Sequence, residues 1–360
     1  MKVAFKILHS VILIVNVVVV ILLIVTGYAW KVKPEQALIS PLLCYVFPFV
    51  ALVNFSFLIY WLLRFKIWIL IPLAGFILTY SSHRAWFPIN ITKEIVPEET
   101  LSVLSFNIMY LEYPYDEESS NVHPAIQYIK DTDADIVCLQ EVGNDVVNTS
   151  FKKKAVRKAL KAYPYIITGA SEGRYSVVCL SKYPVLRYKR IPYESKSNSS
   201  FSYDIKIGNE TITLINNHLE SNKLNPNEKD KYSNILKTRE SEQITELAKI
   251  FGRKVGGATS IRGYQALAVS EVIKSSENKV IVCGDFNDVP GSFTYRTIRN
   301  GLEDSWIENG LGWGNTFHDN LFLFRIDYIL HSKEIDCVSS KISKVNYSDH
   351  YPLIAKFVIK

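Results

Sequence analysis

Cysteine is scarce and scattered in this 360-residue chain. The five are Cys44, Cys138, Cys179, Cys283 and Cys337, with no Cys-x-x-Cys pair and no disulfide-like spacing. That pattern excludes a zinc–thiolate motif or a dithiol redox centre as the organising chemistry. Cys138, Cys179 and Cys283 each lie in an apolar run (DIVCLQ, SVVCLS, VIVCGD), where cysteine packs as a small hydrophobe. Acidic residues are almost missing from the first 84 positions, which hold only Glu35 against seven Lys and Arg. Of 41 basic and 35 acidic residues in the whole chain, this leaves 34 of each beyond residue 84. The formal net charge of +6 therefore belongs to the N-terminal part, and the remainder is neutral. A neutral remainder lacks the broad basic footprint of a protein that grips a nucleic-acid backbone. Internal repeats and low-complexity tracts are also lacking.

Uncharged apolar runs, in contrast, are long. From Ile7 to Trp30 no charged residue occurs, which meets the ~20 apolar residues needed to cross a bilayer. Further apolar stretches run over about 37–63 and 67–82. The first run is too long for a cleaved signal peptide, and no small-x-small cleavage site follows it. Three successive segments of this kind do not fit buried core helices. Residues 1–84 are thus expected to form a transmembrane region of three helices, about 7–30, 37–63 and 67–82, with the bilayer as partner. Three spans put Lys2, Lys6, Arg64 and Lys66 on one side and Lys31 and Lys33 on the other. By the excess of positive charge in cytoplasmic loops, the domain that follows is expected to be extracytoplasmic. Were the third stretch to lie only in the interface, that domain would face the cytoplasm.

Residues 85–100 hold two prolines and no periodicity, and are expected to be a linker. Beyond them, β-branched runs alternate with helix-like polar stretches: 101–108, 134–142, 175–183, 211–219, 279–287, 325–330 and 353–359 are expected strands. Helices are expected over His123–Lys130, Arg239–Ile250 and Tyr264–Ser275.

Polar residues end many of these apolar runs: Asn107, Glu141, His218, Asp285 with Asn287, Asp327, and Asp349 with His350. Singly, each has a bland reading. Asn107 suits a strand end, His218 a satisfied structural histidine, and GDFND a turn. Together, carboxylates, carboxamides and imidazoles without a thiolate suit a hard cation such as Mg²⁺ or Mn²⁺. Such an ion neutralises phosphate oxygens and positions a water for in-line attack.

The runs LSFNI, DIVCLQEV, NNHLES, VIVCGDFNDVP, RIDYIL and SDHYPL resemble the successive motifs of the endonuclease/exonuclease/phosphatase superfamily. The resemblance covers 101–360. It implies an α/β (α+β) four-layer sandwich, two packed mixed β-sheets flanked by helices, here preceded by the transmembrane helices. It implies that Asn107, Glu141 and Asp349 serve the metal, Glu141 being the principal ligand. It assigns His218 a hydrogen bond to a phosphate oxygen, Asp285 the attacking water, and Asn287 the phosphate or that water. Asp327 would orient His350, which would bind phosphate or act as acid or base. Loops 109–123, 221–238, 252–262 and 309–322 would rim the site. The expected activity is metal-dependent hydrolysis of a phosphodiester or phosphomonoester, on a small substrate or a lipid head group held near the membrane. The alternatives are an extracytoplasmic nuclease, with nucleic acid as substrate, and a non-catalytic membrane-tethered binding module.

Overall fold

The uncharged apolar residues from Ile7 to Trp30 fall largely within one long helix whose outer face is apolar. In the computed structural model, helix α1 spans Lys2–Tyr28 and α2 spans Ile39–Leu63. The structure describes residues 2–36, 39–91, 97–112, 122–143, 151–169, 175–195, 197–222, 241–319 and 322–359. Both helices are long and apolar enough to cross a membrane, and both leave large aliphatic side chains exposed, among them Ile14, Ile21 and Leu52. Two buried asparagines turn inward and pair. Trp61 Nε1 donates to Asn16 Oδ1 (2.8 Å), and Asn54 Nδ2 donates to the Pro72 carbonyl (3.0 Å). Such bonds join helices where apolar burial cannot.

The third segment is not one helix over 67–82. A 3₁₀ turn at Ile67–Ile69 leads into α3 (Leu70–Leu78), and after a break at Thr79 the chain resumes as α4 (Tyr80–Trp86). The Thr79 hydroxyl bonds back to the Gly75 carbonyl at 2.7 Å, competing with the helix's own ladder. The expected linker is also overturned in its first half. Ala85 and Trp86 are helical and buried, and Asn90 Nδ2 donates to the carbonyls of Ile307 and Gly310, both at 2.8 Å. Residues 92–96 lie outside the described residues. Segment 67–86 runs alongside α1: Tyr28 bonds the Leu78 carbonyl, and Ser82 bonds the Gly27 carbonyl. The C-terminal ends of α1 and α4 and the N-terminal end of α2 therefore meet the rest of the protein together.

That remainder follows the expected architecture. One six-stranded sheet runs β13-β14-β1-β2-β4-β3 and the other β5-β6-β7-β8-β12-β9. Their members in chain order are β1 (Leu101–Asn107), β2 (Ile136–Gly143), β3 (Tyr165–Gly169), β4 (Tyr175–Ser181), β5 (Val185–Arg190), β6 (Ser199–Ile207), β7 (Glu210–His218), β8 (Lys279–Asp285), β9 (Glu303–Asp304), β12 (Asp327–His331), β13 (Ile335–Ile342) and β14 (Leu353–Ile359). A small ribbon pairs β10 (Phe317–Asp319) with β11 (Phe322–Phe324). Each large sheet is mixed, with one parallel pair, β1–β2 or β7–β8.

The two sheets pack face to face over Val103, Ile136, Cys138, Cys179, Leu214, Cys283 and Ile329. Each large apolar side chain fully buried there contributes about 1.5–3 kcal/mol. All five cysteines are buried and unpaired. The outer face of the first sheet is covered by α5 (Pro124–Thr132) and α6 (Lys154–Ala159). The second is covered by α7 (Ser241–Lys274), α8 (Phe293–Arg299) and α9 (Ser305–Asn309). Helix α7 is continuous where two helices were expected, so the proposed rim loop 252–262 is helical. Glycines within it permit close contact with the N-terminal region: a Cβ on Gly252 would stand 3.3 Å from Leu42, and one on Gly263 3.5 Å from Pro34.

Candidate active site

Strand register gathers the site. His218, Asp285 and Asp327 are lateral neighbours across β7, β8 and β12, and Asn107 stands beside Gln140 across β1 and β2. Side chains alternate faces with period two. Val103, Cys138, Leu214, Cys283 and Ile329 are inner-face core residues, so Asn107, Gln140, His218, Asp285 and Asp327 continue the same row to the edge of the sandwich. The core ends where its row turns polar.

Glu141 breaks that parity. Its φ is +51°, and the β2–β4 register shifts between Leu139 and Val142. The bulge inserts one residue, so Glu141 joins the cluster although the next outward position should have been its own. Asn287 is likewise left-handed, at φ +53°. Gly284, at φ +123°, is required by packing as well: a Cβ there would stand 2.0 Å from the Asn217 carbonyl oxygen.

Asp285 is the hub. Its Oδ2 accepts from Asn107 Nδ2 and Asn287 Nδ2, each at 3.1 Å, and its Oδ1 accepts from the Asn287 backbone N–H at 2.7 Å. His350 Nε2 stands 3.8 Å from Asp285 Oδ2, while His350 Nδ1 meets Asp327 Oδ2 at 2.9 Å. The Thr316 hydroxyl accepts the Asp327 N–H, and Phe317 packs on the His350 ring with centroids 5.1 Å apart. His218 Nε2 lies 3.4 Å from Glu141 Oε1 and 3.3 Å from Asn198 Nδ2. An imidazole nitrogen cannot donate to the first and accept from the second at once. The charge-assisted contact with Glu141 is the stronger, and Asn198 Nδ2 already donates to the Leu219 carbonyl at 2.9 Å.

These placements set the charges. Burial raises the Glu141 pKa, but the His218 hydrogen bond and charge, aided by His350 and Asn107, bring it down to about 2. Burial and the neighbouring Asp327 push Asp285 up to about 7, against the pull of His350 and His218. Burial lowers His218 and His350, yet Glu141 raises the first and Asp327 with Asp285 raises the second well above the ordinary value. The centre thus pairs two imidazoles whose protonated forms are favoured by neighbouring carboxylates with one firmly ionised carboxylate, Glu141, and one poised near neutrality, Asp285.

Within this cluster two groups of side chains offer converging metal donors: Glu141 with His218 and Asp285, and Asp285 with Asp327 and His350, each within 4.8 Å. Asn107 Oδ1 accepts only the Met109 N–H in the bonds described and adds a further oxygen. Oxygen donors dominate, which fits a hard divalent cation. Asp349 stands outside both groups; its carbonyl accepts the His318 N–H.

Sequence reasoning assigned no role to several positioning residues. Ser348 Oγ donates to the Asn107 carbonyl (2.7 Å) and accepts the His350 N–H (3.2 Å), tying two motifs together. Arg262 Nη1 donates to the Glu220 carbonyl, and Gln265 Oε1 accepts the Glu220 N–H, both at 2.8 Å, securing the chain just after His218. Among the expected rim loops, Trp313 packs against Trp86 and Phe87 and so serves the helical region. Residues 113–121 and 223–238 fall outside the described residues.

The profile of the Endonuclease/Exonuclease/phosphatase family matches residues 104–350. The chain belongs to this family. Members of the family are hydrolases acting on phosphoester bonds. Residues 9–86 match a second profile, a domain of unknown function (DUF8431). No curated protein matches the chain. Among solved structures, the chain is similar to D. rerio TDP2 complexed with a single-strand DNA product (TM-score 0.50, 18% identity, 72% of this chain and 100% of that one). A D. rerio TDP2 humanized by 14 mutations matches at TM-score 0.50 and 19% identity, covering 72% and 99%. The human Nocturnin catalytic domain with bound sulfate matches at TM-score 0.50 and 15% identity, covering 72% and 94%. At these identities the likeness concerns the family fold.

Proposed function

We propose that this protein is a membrane-anchored, Mg²⁺- or Mn²⁺-dependent phosphoesterase that cleaves a phosphodiester or phosphomonoester in a small or lipid-linked substrate. One observation carries the reading: Asn107, Glu141, His218, Asp285, Asn287, Asp327 and His350, from six separate strand ends, converge around a single carboxylate. Glu141, as principal ligand, and Asn107 would hold the cation. A bound divalent ion supplies charge neutralisation at the phosphate and a more acidic water. Asp285 or His350 takes the proton of the attacking water. His218, held cationic by Glu141, donates to a phosphate oxygen as negative charge gathers there. Asn287 fixes the phosphate or the water, and Asp327 keeps His350 oriented and protonated. Asp349 would serve the metal or its water shell.

The two long apolar helices support anchoring, and four basic residues on the far side of the bundle against Lys31 and Lys33 favour an extracytoplasmic catalytic domain. Tethering raises the effective concentration of head groups at the site.

The test uses the full chain in detergent, because α1, α2 and α4 pack into the domain. Hydrolysis of bis-p-nitrophenyl phosphate, p-nitrophenyl phosphate, sphingomyelin, phosphoinositides and DNA is followed with Mg²⁺, Mn²⁺ or EDTA. Turnover that needs the metal and disappears in D285A/H350A is the expected result. DNA turnover alone, falling steeply with salt, selects the nuclease reading. No turnover by folded protein leaves a binding module.

A further inference from the structure

A cavity of about 740 Å³ lies where the C-terminal end of α1 meets α8, and its lining is strongly basic. Lys31, Lys33, Lys274, Arg296, Arg299 and Lys333 line it, against one acid, Glu303. Arg299 pairs with Glu303 at 3.7 Å and Lys274 with Glu271 at 2.9 Å. Among the described residues, Lys31, Lys33, Arg296 and Lys333 have no acidic partner within 4.0 Å. Like charges gathered without counterions repel one another, and a bound anion relieves that repulsion.

Two buried donors at this cavity are also unspent. Arg296 Nε and Trp30 Nε1 have no hydrogen-bond partner. The Arg296 guanidinium lies over the Trp30 ring, 5.4 Å from its centroid, and Nη2 is anchored on the Ser81 carbonyl at 3.2 Å. The planar, bidentate donor set of Arg suits phosphate oxygens. The cavity's position narrows the ligand further. Trp30, Lys31 and Lys33 directly follow the uncharged run of α1, and Ser81 belongs to α4. On the neighbouring face of α7, Ile261, Tyr264 and Leu267 are exposed at helical spacing, and Leu267 borders the cavity. Apolar side chains beside a cationic pocket at the end of a membrane helix match the layering of acyl chain and head group.

We propose that this cavity binds the phosphate of an anionic phospholipid from the leaflet next to the catalytic domain. The site is distinct from the catalytic cluster: none of its lining residues belongs to the metal-donor groups. Through α8 it nonetheless reaches the GDFND segment, because Thr294 Oγ1 donates to Asp288 Oδ2 at 2.8 Å and Asp288 follows Asn287 directly. The inference rests on the membrane placement proposed above, but not on phosphoester turnover.

The test is native mass spectrometry of the delipidated full chain in a zwitterionic detergent, titrated with phosphatidylglycerol, phosphatidylcholine or inorganic phosphate. Phosphatidylglycerol is expected to bind at least tenfold more tightly than phosphatidylcholine. K33Q/K333Q, which changes two side chains at the cavity mouth, is expected to remove most of that preference. R187Q/K189Q, on β5, keeps it, and so does D285N/H350A. Equal retention of both lipids, or an unchanged preference in K33Q/K333Q, would overturn the proposal. Loss of the preference in D285N/H350A would move the lipid to the catalytic centre and overturn it too. Inorganic phosphate competing at lipid-like concentrations would make the ligand a free anion and reject the lipid source. Recovery of the chain as a monodisperse protein without detergent would instead remove the membrane placement itself.

Discussion

Asp285 and Asp304 lie in the same sheet, and both are almost wholly buried, yet their surroundings drive them in opposite directions. Asp304 meets the guanidinium of Arg325 at 2.8 Å and accepts from Tyr295 and the first turn of α9. Burial raises its pKa, but Arg325 and Arg299 together with these bonds carry it below the ordinary value. Asp285 has no arginine. Its charged neighbours are another acid and two imidazoles, and it is pushed up to about 7. A buried acid matched by a fixed cation holds structure together, whereas one balanced between an acid and imidazoles is left free to exchange a proton near neutrality.

The largest expected effect sharpens this contrast on the catalytic side. D285N should lower metal-dependent turnover by about 10³-fold, the scale of a lost acid–base group, measured as kcat on bis-p-nitrophenyl phosphate. The fold should not suffer. The folded pKa of Asp285 lies above its unfolded value of 3.8, so its contribution is fully present below pH 3.8 and is lost as pH rises through about 7. In EDTA above pH 7, D285N should therefore unfold at a temperature equal to or above that of the unsubstituted chain. A clearly lower unfolding temperature would break the comparison.

D304N should do the reverse, with turnover of the remaining folded protein little changed and stability lowered by about 3–5 kcal/mol, as Arg325 stays buried without its partner. The Asp304 pKa is depressed, so its stabilisation is present above pH 3.8 and is lost as pH falls through the folded value. Denaturant midpoints of the two chains should accordingly converge below pH 3.8. A difference that persists there would assign the effect to packing rather than charge.

The smallest effect expected is that of D327N. Asp327 holds His350 protonated, so its neutral replacement should lower the His350 pKa and move the alkaline limb of the pH–rate profile to lower pH. Turnover near neutrality should drop about tenfold, as for an orienting partner behind a catalytic group. An unmoved limb would show that His350 does not act as the cation.

Much of the centre was legible because strand parity is legible. Asn107, His218, Asp285 and Asp327 each lie on the inner-face row of an apolar strand, two or four residues from its nearest apolar core member, and a period of two needs no tertiary information. Glu141 was legible as an acid at a strand end, but its reach into the cluster was not, since that depends on a bulge whose register is set by β4. Ser348, Asn198 and Thr316 carried no local signal. A buried hydroxyl or carboxamide acquires its role from whichever backbone group a distant strand brings near it. Helix α7 was divided in error because FGRKVGGATSIRG has the glycine content of a loop. Gly252 faces Leu42 and Gly263 faces Pro34, and contact with the N-terminal region holds helical a segment that is weak by propensity.

The same division runs through the whole protein. Sequence alone determined the apolar N-terminal helices, the alternating strands and the identity of the polar residues at their ends, because solvent preference and periodicity are properties of a local stretch. Tertiary structure alone decided which carboxylate lies beside an arginine and which beside an imidazole, how segment 67–86 folds back along α1, and that the residues after it pack onto the domain. Those outcomes depend on distances between separate elements of the fold, some of them more than two hundred positions apart in the chain, and electrostatic energy is set by distance.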